Sequence, residues 1–293
     1  MKHQSGATER VAASPLLAAK DHGAPSVFRP EALLREARRQ KNLPMEAVPP
    51  VCLLDPDGDI VRHLARAGAA RPHRGWACYH TELVAFDVPS AGPVGAVGCA
   101  VGAPFAVLVA EQLFASGCRL LVSVTSAGRI ATDLPAAPHF ILIERALRDE
   151  GTSHHYLPPS AFAEAPDRAL LARVEAALRA EAPGLLLRRG ATWTTDAPFR
   201  ETEAAIAAAR ARGCLAVEME AAALHAFAAA RGQPVVCLAH VTNAMGQDEG
   251  DFEKGEADGA AAALRAVAAA ARVFAASAPW TEAERRGRDH PER

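Results

Sequence analysis

Residues 215–227 read LAVEMEAAALHAF, an apolar run that meets a Glu-Met-Glu triplet and passes at once into an Ala/Leu segment. That order describes a buried strand handing over to a helix at an edge where sites are built. With the period-2 geometry of a strand, Glu218 and Glu220 share one side and Met219 points to the other. A carboxylate at such a junction accepts two hydroxyl hydrogen bonds at once, which suits a vicinal diol such as the 2′,3′-hydroxyls of ribose. Taken alone, the triplet reads more simply as a helix whose first turn carries acids because the macrodipole favours them. The rest of the chain decides between the two.

Downstream of the triplet, residues 234–241 form another apolar strand, 242–253 a loop, and 257–276 a long Ala-rich helix. Upstream, strand patterns are expected at 51–54, 79–88, 94–101, 119–124, 139–144 and 185–193, with helices at 60–67, 105–116 and 167–180 and a further one ending at Ala211. Small-residue turns are expected at 125–128, after a buried strand, and a polar loop at 144–159. This alternation predicts an α/β fold: three layers, α/β/α, around a central mixed, largely parallel sheet. Residues 1–27 are polar and patternless and are expected to be a disordered tail; 28–47 carry a basic amphipathic helix suited to docking or an oligomer contact. The main domain is expected at 48–277 and a solvated tail at 278–293.

The chain has 293 residues, of which 50% are hydrophobic and 23% charged, with a formal net charge of -2. That balance gives no electrostatic case for nucleic acid or an anionic membrane as partner. No apolar run is read as long enough for a membrane span, and the N-terminus lacks a signal-peptide core, so a cytoplasmic location is expected. The six cysteines lie far apart with no CxxC, which points to buried free thiols and away from disulfides or a metal site. Residues 98–104 (GCAVGAP) carry neither the dinucleotide fingerprint nor a Walker lysine.

Four stretches fall in order on expected strand ends: SVTSAGRI (123–130), RDEGTSHHYLPP (148–159), TWTTDAPFRET (192–202) and VEMEAAAL (217–224). Together they resemble the nucleoside phosphorylase superfamily, in its uridine phosphorylase and purine nucleoside phosphorylase branch, over roughly residues 48–276. The resemblance implies that Glu220 binds the ribose diol beside Glu218, that Met219 packs on the sugar, and that Phe199 covers the base. It implies Thr194 and Thr195 in the base pocket, and Ser126 at the meeting point of phosphate and sugar. Asn243 stands where purine-cleaving relatives carry an Asp. Its amide donates to a ring nitrogen and accepts from an N–H, as a 6-oxopurine or a pyrimidine requires.

The departures concern phosphate. The family's Gly-Asp-Pro-x-Arg turn reads Leu54-Asp55-Pro56-Asp57-Gly58 here, and Ser123 stands where a second phosphate arginine is usual. A dianion without its bidentate arginines loses its strongest contacts. Arg129, Arg148 and Arg200 are the candidate substitutes. The leading expectation is an enzyme, a pentosyltransferase, that cleaves the N-glycosidic bond of a nucleoside and releases free base. No cofactor is expected; inorganic phosphate is the co-substrate that the resemblance implies, while the missing arginines predict weak or absent phosphate dependence. The first alternative is a hydrolytic nucleosidase with Asp55, Asp57 or Asp59 as base; the second is a catalytically silent nucleoside-binding protein. A homo-oligomer, from dimer to hexamer, is expected.

Overall fold

A computed structural model describes residues 14–18, 20–134, 138–243 and 254–277. The tail expected at 278–293 and residues 244–253 of the loop expected at 242–253 lie outside the described residues. In chain order the elements are α1 (Pro30–Lys41), β1 (Val51–Asp55), α2 (Asp59–Arg66), β2 (Arg71–Pro72), β3 (Val84–Val88), β4 (Gly92–Gly98), α3 (Ala103–Ala115) and β5 (Leu120–Arg129). There follow β6 (His139–Asp149), β7 (Phe162–Glu164), α4 (Arg168–Glu181), β8 (Leu187–Thr195), α5 (Glu203–Ala211), β9 (Cys214–Glu218), α6 (Ala221–Arg231), β10 (Val235–Asn243) and α7 (Ala260–Ser277).

The sheet is mixed. β1 lies parallel between β4 and β5, and β5 continues parallel to β10. β10 pairs antiparallel with β6, which runs parallel to β8, which runs parallel to β9. β9 then returns to the end of β5, with Gly128 opposite Val217 and Arg129 opposite Ala216. Strands β5, β10, β6, β8 and β9 therefore close a ring, while β1, β4, β3 and β2 extend from it as an open wing. Closure removes free strand edges from the half of the molecule that carries the quoted motifs.

Both faces of the sheet are covered, which is why its strands read as continuous apolar runs. Cys52, Leu54, Leu121, Ile141 and Val241 share one core with α3 and α6. Val51, Leu53, Val122, Leu142 and Leu238 turn the other way, into a second core with α4 and α7. α1 seats Leu34 and Ala37 on Ala77 of its own chain, and Lys41 Nζ donates to the Cys78 carbonyl at 2.6 Å. The six cysteines are free thiols, with Cys99 exposed and the rest buried.

Several local expectations are corrected. Residues 125–128 are strand, because β5 runs on to Arg129 to pair with both β10 and β9. β6 likewise extends to Asp149 where a loop was expected, held by β7 and β8. Residues 79–83 are irregular; the Trp76 indole N–H donates to Thr81 Oγ1 at 3.0 Å there. Within the stretch expected to be a patternless tail, the His22 ring hydrogen-bonds the His154 carbonyl at 3.3 Å. The helical span Glu256–Ser277 is, with a mean hydropathy of 1.4, long and apolar enough to cross a membrane, contrary to the reading of the sequence. Ala263, Ala266, Val267 and Ala270 of that span are buried in the second core.

Candidate active site

The quoted junction works as a helix cap built from a carboxylate. Glu218 ends β9, and its Oε2 accepts the N–H groups of Glu220 and Ala221, both at 2.7 Å. Its Oε1 accepts the hydroxyls of Thr192 at 3.1 Å and Thr194 at 2.5 Å, both from β8. Thr194 Oγ1 in turn accepts the Ala222 N–H at 2.9 Å. The first N–H groups of α6, which have no partner inside the helix, are met in this way. Burial pushes the Glu218 carboxyl up, against the pull of these four donors.

Glu220 sits one residue before α6 and is 1% exposed. Oε1 accepts the Gly102 N–H at 2.7 Å and Oε2 accepts the Thr125 hydroxyl at 2.9 Å. The residue is thus pinned between the turn that opens α3 and the end of β5. Burial, helped by the charge of Glu218, pushes its pKa up to about 8. Each carboxylate oxygen has two lone pairs, so each keeps one for an incoming hydroxyl. Met219, between the two buried acids, is the more exposed of the three.

The first turn places three acids in three different states. Asp55 is buried; its oxygens accept from Gly58 N at 3.1 Å and Val61 N at 3.0 Å, which caps α2, and burial raises its pKa to about 6. Asp59 is paired with Arg62 at 2.5 Å and Lys254 at 2.5 Å. Asp57 reaches across to β5, where its Oδ2 accepts the Ser126 N–H at 3.0 Å and, in a short contact, the Ser126 hydroxyl. Of the three, only Asp57 engages the motif that bears Ser126.

The remaining expected residues divide. Thr195 is buried and its hydroxyl accepts the Ala197 N–H at 3.2 Å, shaping the turn that carries Phe199. Phe199 itself is 99% exposed, so in this chain alone it covers nothing. Asn243 ends β10 opposite Gly128, and its Oδ1 accepts the Thr242 hydroxyl at 3.3 Å. His240 is buried, stacks on Phe140 with centroids 4.5 Å apart, and is held down to about 4 by burial. Arg129 donates to the Leu134 carbonyl at 3.0 Å. Arg148 is buried and donates to Ser153, Ser160 and the carbonyls of Leu157 and Pro158, which makes it the staple of the 150–160 loop. Arg200 is exposed.

Thr125, Thr192 and Gly102 were not singled out from sequence as partners of the two acids. Thr125 and Thr192 lie inside quoted motifs, but only the pairing of β9 with both β5 and β8 brings them to the triplet.

Residues 52–276 match the family model described as the phosphorylase superfamily. A DeoD-type purine nucleoside phosphorylase of Myxococcus xanthus is 31% identical over 152 residues, which is 51% of this chain and 62% of that relative's length. Among solved structures, uridine phosphorylase from Vibrio fischeri superposes with a TM-score of 0.63 at 20% identity, over 77% of this chain and 92% of that one. Purine nucleoside phosphorylase from Toxoplasma gondii in complex with immucillin-H superposes with a TM-score of 0.66 at 17% identity, over 80% of this chain and 93% of that one. At these identities the structural likeness is one of fold.

Proposed function

The chain belongs to the phosphorylase superfamily, and on that premise we propose that it cleaves the N-glycosidic bond of a nucleoside, releases free base, and uses phosphate as the family's co-substrate. The observation that carries this reading is Glu220: a buried carboxylate with one donor on each oxygen and one lone pair to spare on each. Vicinal hydroxyls supply two donors at that spacing. As the glycosidic bond lengthens, positive charge grows on the sugar, and an ionised Glu220 beside it is worth more in the transition state than in the ground state. Asn243 would hold the departing base through its amide, and Phe199, exposed in the single chain, would close over it by stacking. Ser126 would sit at the face from which the nucleophile arrives.

Hydrolysis remains as a second reading on one observation, the carboxylate of Asp57 held at Ser126, where it would orient and deprotonate water. The test is free-base release from a panel of purine and pyrimidine ribonucleosides and their 2′-deoxy forms, with the sugar product identified. Base together with a sugar 1-phosphate is the expected outcome, and free ribose would favour the second reading. Absence of base from every nucleoside would contradict both.

A further inference from the structure

We propose that Asp57 is a built-in competitor for phosphate: its carboxylate occupies the anion cradle formed by the backbone N–H and hydroxyl of Ser126. The two donors converge on a single oxygen, Oδ2, in the way they would converge on one oxygen of a bound tetrahedral anion. Asp57 is half-buried, and its charge is felt by Glu220, Lys254 and His240. Among the described residues, Lys254 and Arg62 both pair with Asp59, Lys254 also feels the charge of Asp57, and Arg148 is held by its own loop, so these cations already answer the carboxylates and the loop around them.

The geometry also explains why an arginine does not simply replace the lost one. Gly58 has φ +76, and a Cβ there would stand 2.6 Å from Cys99 Sγ and 2.8 Å from Arg62 Nη1. Phosphate therefore enters only by displacing the Asp57 carboxylate, against its charge. The inference rests on the proposed nucleoside site only in setting Ser126 beside the sugar; the anion cradle is testable without any nucleoside.

The experiment is titration of inorganic phosphate, by calorimetry and by the rise in Tm, into the full chain and into D57S and D57N. Relief of repulsion and release of two donors should tighten phosphate at least tenfold in D57S, with a smaller gain in D57N, which keeps the acceptor but loses the charge. Adding Ser126→Ala to D57S should cancel the gain. Phosphate affinity within twofold of the parent in both folded single variants would overturn the proposal, whether the parent binds well or not at all. So would loss of base release in D57S with no gain in phosphate affinity, since that marks Asp57 as a base. If D57S binds phosphate tightly while no variant cleaves any nucleoside, the cradle stands and the proposed function falls.

Discussion

Glu220 holds its proton more tightly than a free carboxyl, because burial and the charge of Glu218 outweigh the two donors and raise its pKa to about 8. A diol adds two more donors to the charged form, so a ribonucleoside should favour ionisation of this group on binding. Glu220→Gln should therefore fold normally yet lose ribonucleoside cleavage by one to two decades, the equivalent of a charge-assisted hydrogen bond of about 1.5–3 kcal/mol. The check is kcat/KM beside a thermal melt, and full activity in a folded variant would remove Glu220 from the diol. Phe199 is judged the opposite way, because at 99% exposure it contributes nothing to the core. Phe199→Ala should leave Tm unchanged while raising KM for all bases by a similar factor, since stacking worth about 1–3 kcal/mol ignores the hydrogen-bonding edge. Asn243→Asp, by contrast, should change which base is preferred. A base-selective effect of Phe199→Ala with none from Asn243→Asp would mean the two roles are reversed.

At the scale of elements, the strand-to-helix hand-over at 215–227 was legible because an apolar run, an acid and an Ala/Leu helix carry their own local signals. The role of Glu218 was not: that it caps α6 while binding Thr192 and Thr194 depends on β8 lying beside β9. The expected turn at 125–128 failed for the same reason. Small residues in sequence look like a turn, whereas pairing with two distant strands keeps Thr125–Gly128 extended. Glu218→Ala should accordingly act through structure. It uncaps α6 and strands two buried threonine hydroxyls, a loss on the order of 2 kcal/mol or more. Urea unfolding measures this, and a change below about 0.5 kcal/mol, the range of an ordinary surface substitution, would show that the cap carries no weight.

For the whole molecule, the buried ionisable groups fix how stability follows pH. Glu220 at about 8 and Asp55 at about 6 bind their protons more tightly when folded than an unfolded carboxyl does. Their contribution is fully present below the unfolded carboxylate range and is lost as pH rises through those values. His225 and His240, both depressed to about 4 by burial, act the other way: their contribution is present above the ordinary histidine value of 6.5 and is lost as pH falls through about 4. The two sets oppose each other on the acidic side. Above the histidine value only the carboxylates remain, so stability should fall between about pH 6.5 and 8, and Glu220→Gln should flatten that fall. Melts across that window read it directly, and a parent that gains stability towards pH 8 would contradict the assignment. The fold class was readable from alternation and from motif order, but the closed ring of β5, β10, β6, β8 and β9 was not, because closure is a property of pairing and not of any one segment. That ring sets Asn243 opposite Gly128, close in sequence to Thr125 and Ser126, and joins Thr194 to Glu218, and the role proposed for these residues is to serve a nucleoside. The most direct test is base release from ribonucleosides by the parent chain and by Glu220→Gln, with the sugar product identified. Free base from at least one ribonucleoside and a loss of at least tenfold in the folded variant are expected; no base from any nucleoside, or undiminished release by Glu220→Gln, would contradict the role proposed for Glu220.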